Sequence, residues 1–253
     1  MTSVESTVPE CFYYGRPAGS NEHMLPDWVA RYLFDHKGQW SFIQQRSSSS
    51  LLWVENVGNE IDITTDLICG TCNGGWMRKL EQNASAFLKP MFDGVATTLT
   101  DKERSTLARW AVKTVTTFEC DSPNSPVTPE TVHRYIRQRG LPPTYEVFPG
   151  RYDGPRVFDR HRRVWTRVSA TPEADHIAIS TLLIGQVILF VAADPFGGHA
   201  RPISFLGPDY LIPLMATPLG EITWPPQHAI DESLLLSLAE GDWLGMPPAV
   251  PEN

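Results

Sequence analysis

The sequence predicts an α+β protein: a ribbon-and-helix N-terminal part, then further helices, then an antiparallel β-rich C-terminal region. Three observations carry this reading. An alternating stretch, EIDITTDLI, runs directly into a C-x-x-C turn, Cys69 and Cys72, that opens a helical pattern. Helix-start and helix-stop residues then recur up to Gly140. After Tyr145 the apolar stretches are short and β-branched, the signature of strands.

Taken in order, the first 22 residues read as loop and ribbon. MLPDWVARYLF follows as a short amphipathic helix with Leu25, Trp28, Val29, Tyr32 and Leu33 on its apolar side. FIQQRSSSSLLWVENV suggests two strands about a polar serine turn, and EIDITTDLI a longer strand. The helix after Cys72 carries Trp76, Leu80, Ala84, Phe87 and Leu88 as far as Pro90. Thr100-Asp101-Lys102-Glu103 is a capping box, which predicts a helix over DKERSTLARWAVKTVTTF with Leu107, Trp110, Ala111, Thr114 and Val115 inward. A proline-rich linker, DSPNSPVTP, leads to a helix begun by Thr128-Pro129 and stopped by Gly140. The strands expected next are YEVFP, RRVWTRVSA, HIAISTLLI, QVILFVAA and a ragged ISFLGPDYLIPL, before a short helix in DESLLLSLAEGDW.

The chemistry concentrates near the N-terminus. Cys69 and Cys72 have the spacing of a metal knuckle, and a tetrahedral zinc needs four ligands. Upstream, CFYYG supplies Cys11 and the turn glycine Gly15, but Tyr14 stands where the second thiolate would be. Glu22 and His23 lie between the two knuckles, a carboxylate that can hold a hard divalent ion beside an imidazole that can take a proton from water. Asn73 follows Cys72 directly.

This ordered set resembles the HNH endonucleases of the ββα-metal superfamily, with a degenerate zinc knuckle. The resemblance covers residues 1–94 as an HNH-like ββα-metal module and leaves 95–253 as an α+β region that could bind nucleic acid or a partner. It implies that His23 is the general base, that Glu22 and Asn73 hold Mg or Mn, and that Cys11, Cys69 and Cys72 hold a structural Zn. The activity implied is hydrolysis of DNA phosphodiester bonds, in a phage or bacterial setting. The family's middle asparagine has as candidates Asn56, Asn59 and Asp66. The alternative is a non-catalytic nucleic-acid- or protein-binding module on a degenerate scaffold, which Tyr14 in the ligand position favours. His36 could complete the zinc site or be an exposed turn histidine.

A formal charge of −8 requires any nucleic-acid contact to be local. Arginines are dense from Arg134 to Arg167; Arg160, Arg162, Arg163 and Arg167, interleaved with Phe158 and Trp165, are the candidates for phosphate binding. The same alternation fits a solvated sheet face. Four cysteines, with Cys120 isolated, suit a reducing compartment rather than a disulfide framework. No apolar run is long enough to cross a bilayer, and no signal peptide opens the chain, so a soluble cytoplasmic protein is expected. No internal repeat, Gly-rich phosphate loop or Ser-His-Asp order stands out.

Overall fold

The structure, a computed structural model, describes residues 9–35, 64–121, 128, 130–167, 175–193, 206–215 and 220–240, with the backbone alone for 121, 161–167, 175–178 and 239–240. The serine-turn strands, His36, Asn56 and Asn59 lie outside the described residues.

The chain starts with a turn over Cys11–Gly15 and enters β1 (Ser20–His23), which pairs antiparallel with β2 (Thr64–Ile68) through Glu22↔Thr65 and His23↔Thr64. Between these strands in sequence lies α1 (Asp27–Asp35), whose Val29 and Leu33 are buried at the predicted spacing while Trp28 and Tyr32 are half-buried. After Cys69 the chain makes a π-helical turn over Cys72–Met77, kinked at Gly75, and continues as α2 (Arg78–Phe92). The helix runs two residues past the expected stop at Pro90. A proline in the last turn leaves only one carbonyl near a helix end without its partner, so the turn can continue.

A short strand, β3 (Thr97–Leu99), leads into α3 (Asp101–Thr117), and the capping box forms as read. Thr100 Oγ1 accepts from the Glu103 amide at 3.4 Å, and Glu103 Oε2 accepts from the Thr100 amide at 2.9 Å. The predicted inward residues of α3 are all buried, but so are Ala108, Val112, Lys113, Thr116 and Thr117. α3 is thus enclosed on nearly every side, because α2, α4 (Glu130–Arg139) and the sheet all pack on it.

That sheet contains β4 (Tyr145–Tyr152), β5 (Phe158–Arg167), β6 (Asp175–Ile184), β7 (Val187–Ala193) and β9 (Ala229–Ile230) in the order β5-β6-β7-β4-β9. Every neighbouring pair is antiparallel except β4 with β9. β8 (Ile222–Trp224) instead pairs with β3, and α5 (Glu232–Glu240) covers the far face of the sheet. The hairpin expected in HIAISTLLIGQVILFVAAD is β6 and β7 about Gly185, whose φ of +55° a residue with a Cβ adopts poorly. β7 is buried at every position because its alternation serves two cores. Val187, Leu189, Val191 and Ala193 face the helices, while Ile188, Phe190 and Ala192 face α5.

ISFLGPDYLIPL does not form a strand within its described part, 206–215. Only Leu211 makes a bridge, to Gly150, although the Ile212 and Leu214 amides also bond to the carbonyls of Pro149 and Val147. Pro208 and Pro213 carry no amide hydrogen and interrupt the ladder. No helix among the described residues is long and apolar enough to cross a membrane.

Candidate metal centre

Two backbone turns bring the cysteines together. In the first, the amides of Tyr14 and Gly15 both donate to the Cys11 carbonyl at 3.0 Å, and Gly15 takes a φ of +64°. In the second, the amides of Cys72 and Asn73 donate to the Cys69 carbonyl at 2.9 and 3.0 Å. The first turn is fastened to the strand leading into the second. The Phe12 amide donates to the Leu67 carbonyl at 3.0 Å, and the Gly19 amide to the Asp66 carbonyl at 2.7 Å. Tyr13, fully buried, then bolts the turn to α3, where its hydroxyl meets the Lys113 carbonyl, Thr116 Oγ1 and Thr117 Oγ1 at 2.9–3.2 Å.

As a result Cys11, Cys69 and Cys72 are buried with their sulfurs within 4.8 Å of one another, the one cluster of this kind among the described residues. A hydrogen bond from the Cys72 thiol lowers the Cys11 pKa, against the opposing effect of burial. The same bond, reinforced by burial, pushes Cys72 up. The Trp76 indole N–H, buried and without a conventional partner, lies against the Cys72 sulfur and favours its thiolate. Three soft donors, one already inclined to be a thiolate, could hold a metal such as zinc. Tyr14 stacks elsewhere: the guanidinium carbons of Arg137 and Arg16 lie 3.5 and 4.3 Å from its ring centroid.

The residues expected to hold a second, catalytic ion are arranged differently. Glu22 is buried and turned inward, where Lys113 Nζ lies 3.3 Å from its carboxylate and 2.7 Å from that of Glu81 on α2. Lys113 is itself fully buried. Burial raises the Glu22 pKa most, Lys113 opposes the rise, and Glu81 adds to it. An ammonium therefore already lies between the two carboxylates, and Glu22 does not fit Mg or Mn while that contact stands.

His23, next along β1, is half-exposed, and its Nδ1 lies 3.2 Å from Asp27 Oδ1 at the start of α1. Asn73 is turned to β1 as well, its amide nitrogen 3.5 Å from both Ser20 Oγ and the Asn21 carbonyl oxygen. These long contacts hold the π-helical turn against the ribbon. An open cleft of about 420 Å³ runs beside the ribbon, lined by Asn21, Met24, Thr64, Thr65, Asp66, Leu67 and Cys120. The Cys120 thiol in its wall is pushed up to about 12, chiefly by burial, and is a poor nucleophile there.

The arginine-rich stretch divides. Arg156 pairs with Asp159 and Glu232, and the Arg160 guanidinium lies 4.0 Å over the Phe118 ring. Positions 160 and 162 belong to one side of β5 and positions 163 and 167 to the other, in register with Ile179 and Asp175. The side chains of Arg162, Arg163 and Arg167 lie outside the described residues. Sequence reasoning missed Lys113; its one signal is a lysine three residues after Trp110 on a helix face otherwise rich in apolar and threonine residues. Compared with family models, curated proteins and solved structures, the chain matches none.

Proposed function

We propose that this chain is a non-catalytic nucleic-acid-binding module, clamped by a three-cysteine zinc centre, on a scaffold resembling the HNH nucleases. The observation that carries the reading is the fully buried Lys113 ammonium between Glu22 and Glu81. In a working nuclease of this type the acid beside the histidine must hold a divalent ion that stabilises charge on the phosphate. Here that acid is engaged by an internal cation, and releasing Lys113 would leave an unpaired charge in the core. The zinc, when bound by Cys11, Cys69 and Cys72, would fix the first turn to the start of the helix and needs no part in chemistry.

A second reading, the metal-dependent endonuclease with His23 as general base and Glu22 and Asn73 on Mg or Mn, is favoured by one contact. Asp27 beside His23 Nδ1 would hold that nitrogen protonated and leave Nε2 as the basic atom. Supercoiled plasmid incubated with the protein across Mg²⁺, Mn²⁺ and Ni²⁺ separates the two. The binding module retards the plasmid without nicking it. Nicking that disappears in His23→Ala would establish the enzyme instead.

A further inference from the structure

We infer that the edge formed by the Cys11–Gly15 turn and the C-terminal half of α4 is the surface that meets the phosphate backbone of duplex DNA; this rests on the binding reading above. Arg16 from the turn and Arg137 from α4 both stand on the Tyr14 ring. Arg134, one turn earlier on α4, packs over Gly15, where an added Cβ would meet its Nη2 at 3.2 Å. Arg139, two residues beyond Arg137, lies over Tyr135 on another face of the helix. Arg109 donates to the carbonyls of Ile136 and Arg137 at 3.0 and 2.8 Å, which fixes the end of the helix that carries them.

The charge on this edge is compensated only in part, and the Glu10 carboxylate lies beside Gly15. Arg134 pairs with Glu130, but no described carboxylate lies in ion-pair contact with Arg16, Arg137 or Arg139. Two guanidiniums sharing one ring repel each other until an anion comes between or across them. Their forks suit phosphate oxygens, and stacking on tyrosine leaves the N–H edges free to donate. The aromatic faces are already covered by arginine, so the surface offers phosphate contacts rather than base stacking, and binding should be indifferent to sequence. Arg134 and Arg137, three residues apart on one face of α4 and continued by Arg16, match a chain of repeated negative charge better than an isolated carboxylate. On a chain of net charge −8, such a local field is where a polyanion can approach. Tyr14, which denies the turn its second thiolate, is the platform for this edge.

The test uses the full zinc-loaded chain and fluorescence anisotropy of a labelled DNA duplex across a salt series. Arg16→Gln/Arg137→Gln should lose at least ~10-fold in affinity at low salt and flatten the slope of log K against log salt by roughly two, at ~0.9 per phosphate contact. The charge-matched control Arg31→Gln/Lys102→Gln, on other elements, should leave the slope unchanged. Should the first double variant fail to fold by circular dichroism, Arg16→Gln alone, on an exposed side chain, should flatten the slope by about one. An unaltered slope in the arginine variants, or an equal loss in the control, overturns this surface while the binding reading survives. Competition by polyglutamate as strong as by unlabelled duplex would make the occupant an acidic protein segment and overturn the assignment to nucleic acid. Absence of duplex binding by the parent protein at any salt would sink both.

Discussion

A lysine with no exposed surface needs its charge matched on the spot, and Lys113 is matched twice, by Glu22 and Glu81. Removing it leaves two acids around an apolar hole. Lys113→Met should cost about 3–5 kcal/mol of stability, read by chemical denaturation. Lys113→Met combined with Glu22→Gln should recover part of that loss, since the unpaired charge nearest the core is then gone. At the cysteines, protein purified without chelator should contain about one equivalent of zinc by metal analysis, and Cys69→Ser should lose most of it. Zinc-free parent protein would remove the clamp from the account. The cysteine set was legible because C-x-x-C and a matching turn glycine are short-range signals. The Glu22–Lys113 contact was not, because its partners are 91 residues apart and nothing local to either shows the other. Tyr14 was noticed as a departure, but its arginine partners come from its own turn and from α4, and only the folded chain joins them.

Among the elements, most with a local start or stop signal formed where the sequence put them, although α2 runs past Pro90. α3 begins at its capping box, α4 ends at Gly140 with φ +102°, and β6 and β7 turn at Gly185. Where the signal was only apolar content the reading was looser, as for 206–215, in which proline overrides a strand-like run. The α3 cap gives a direct check: Thr100→Ala should cost about 1 kcal/mol in denaturant unfolding. Hydrogen bonds from the Thr100 amide and hydroxyl hold the Glu103 carboxyl below its usual value of 4.5. A depressed carboxyl contributes stability that is present above its unfolded value and lost as pH falls through the lower folded one. The stability gap between the parent and Glu103→Ala should therefore be steady above pH about 4.5 and close below it. A gap that is independent of pH would mean that Glu103 stabilises without its charge.

Across the whole molecule, one core runs from Cys11 through α3 to Leu182 and Leu189 in the sheet, across the boundary expected near residue 94. The join is tight at Gly185, where a Cβ would lie 2.5 Å from the Phe92 carbonyl oxygen and the Gln186 amide donates to that oxygen at 2.9 Å. Gly185→Ala combines a left-handed φ with that clash. It should lower the unfolding midpoint of the N-terminal ribbon and of the sheet together, as followed by tryptophan fluorescence and far-ultraviolet circular dichroism. Separate shifts of the two signals would show that the halves unfold independently. Central to the proposed function is the Lys113 ammonium between Glu22 and Glu81. Mn²⁺ binding to the zinc-loaded protein, followed by electron paramagnetic resonance, tests this directly. The account predicts that free Mn²⁺ signal is retained by the parent and that Glu22→Gln changes nothing. Stoichiometric Mn²⁺ uptake that Glu22→Gln abolishes would contradict it.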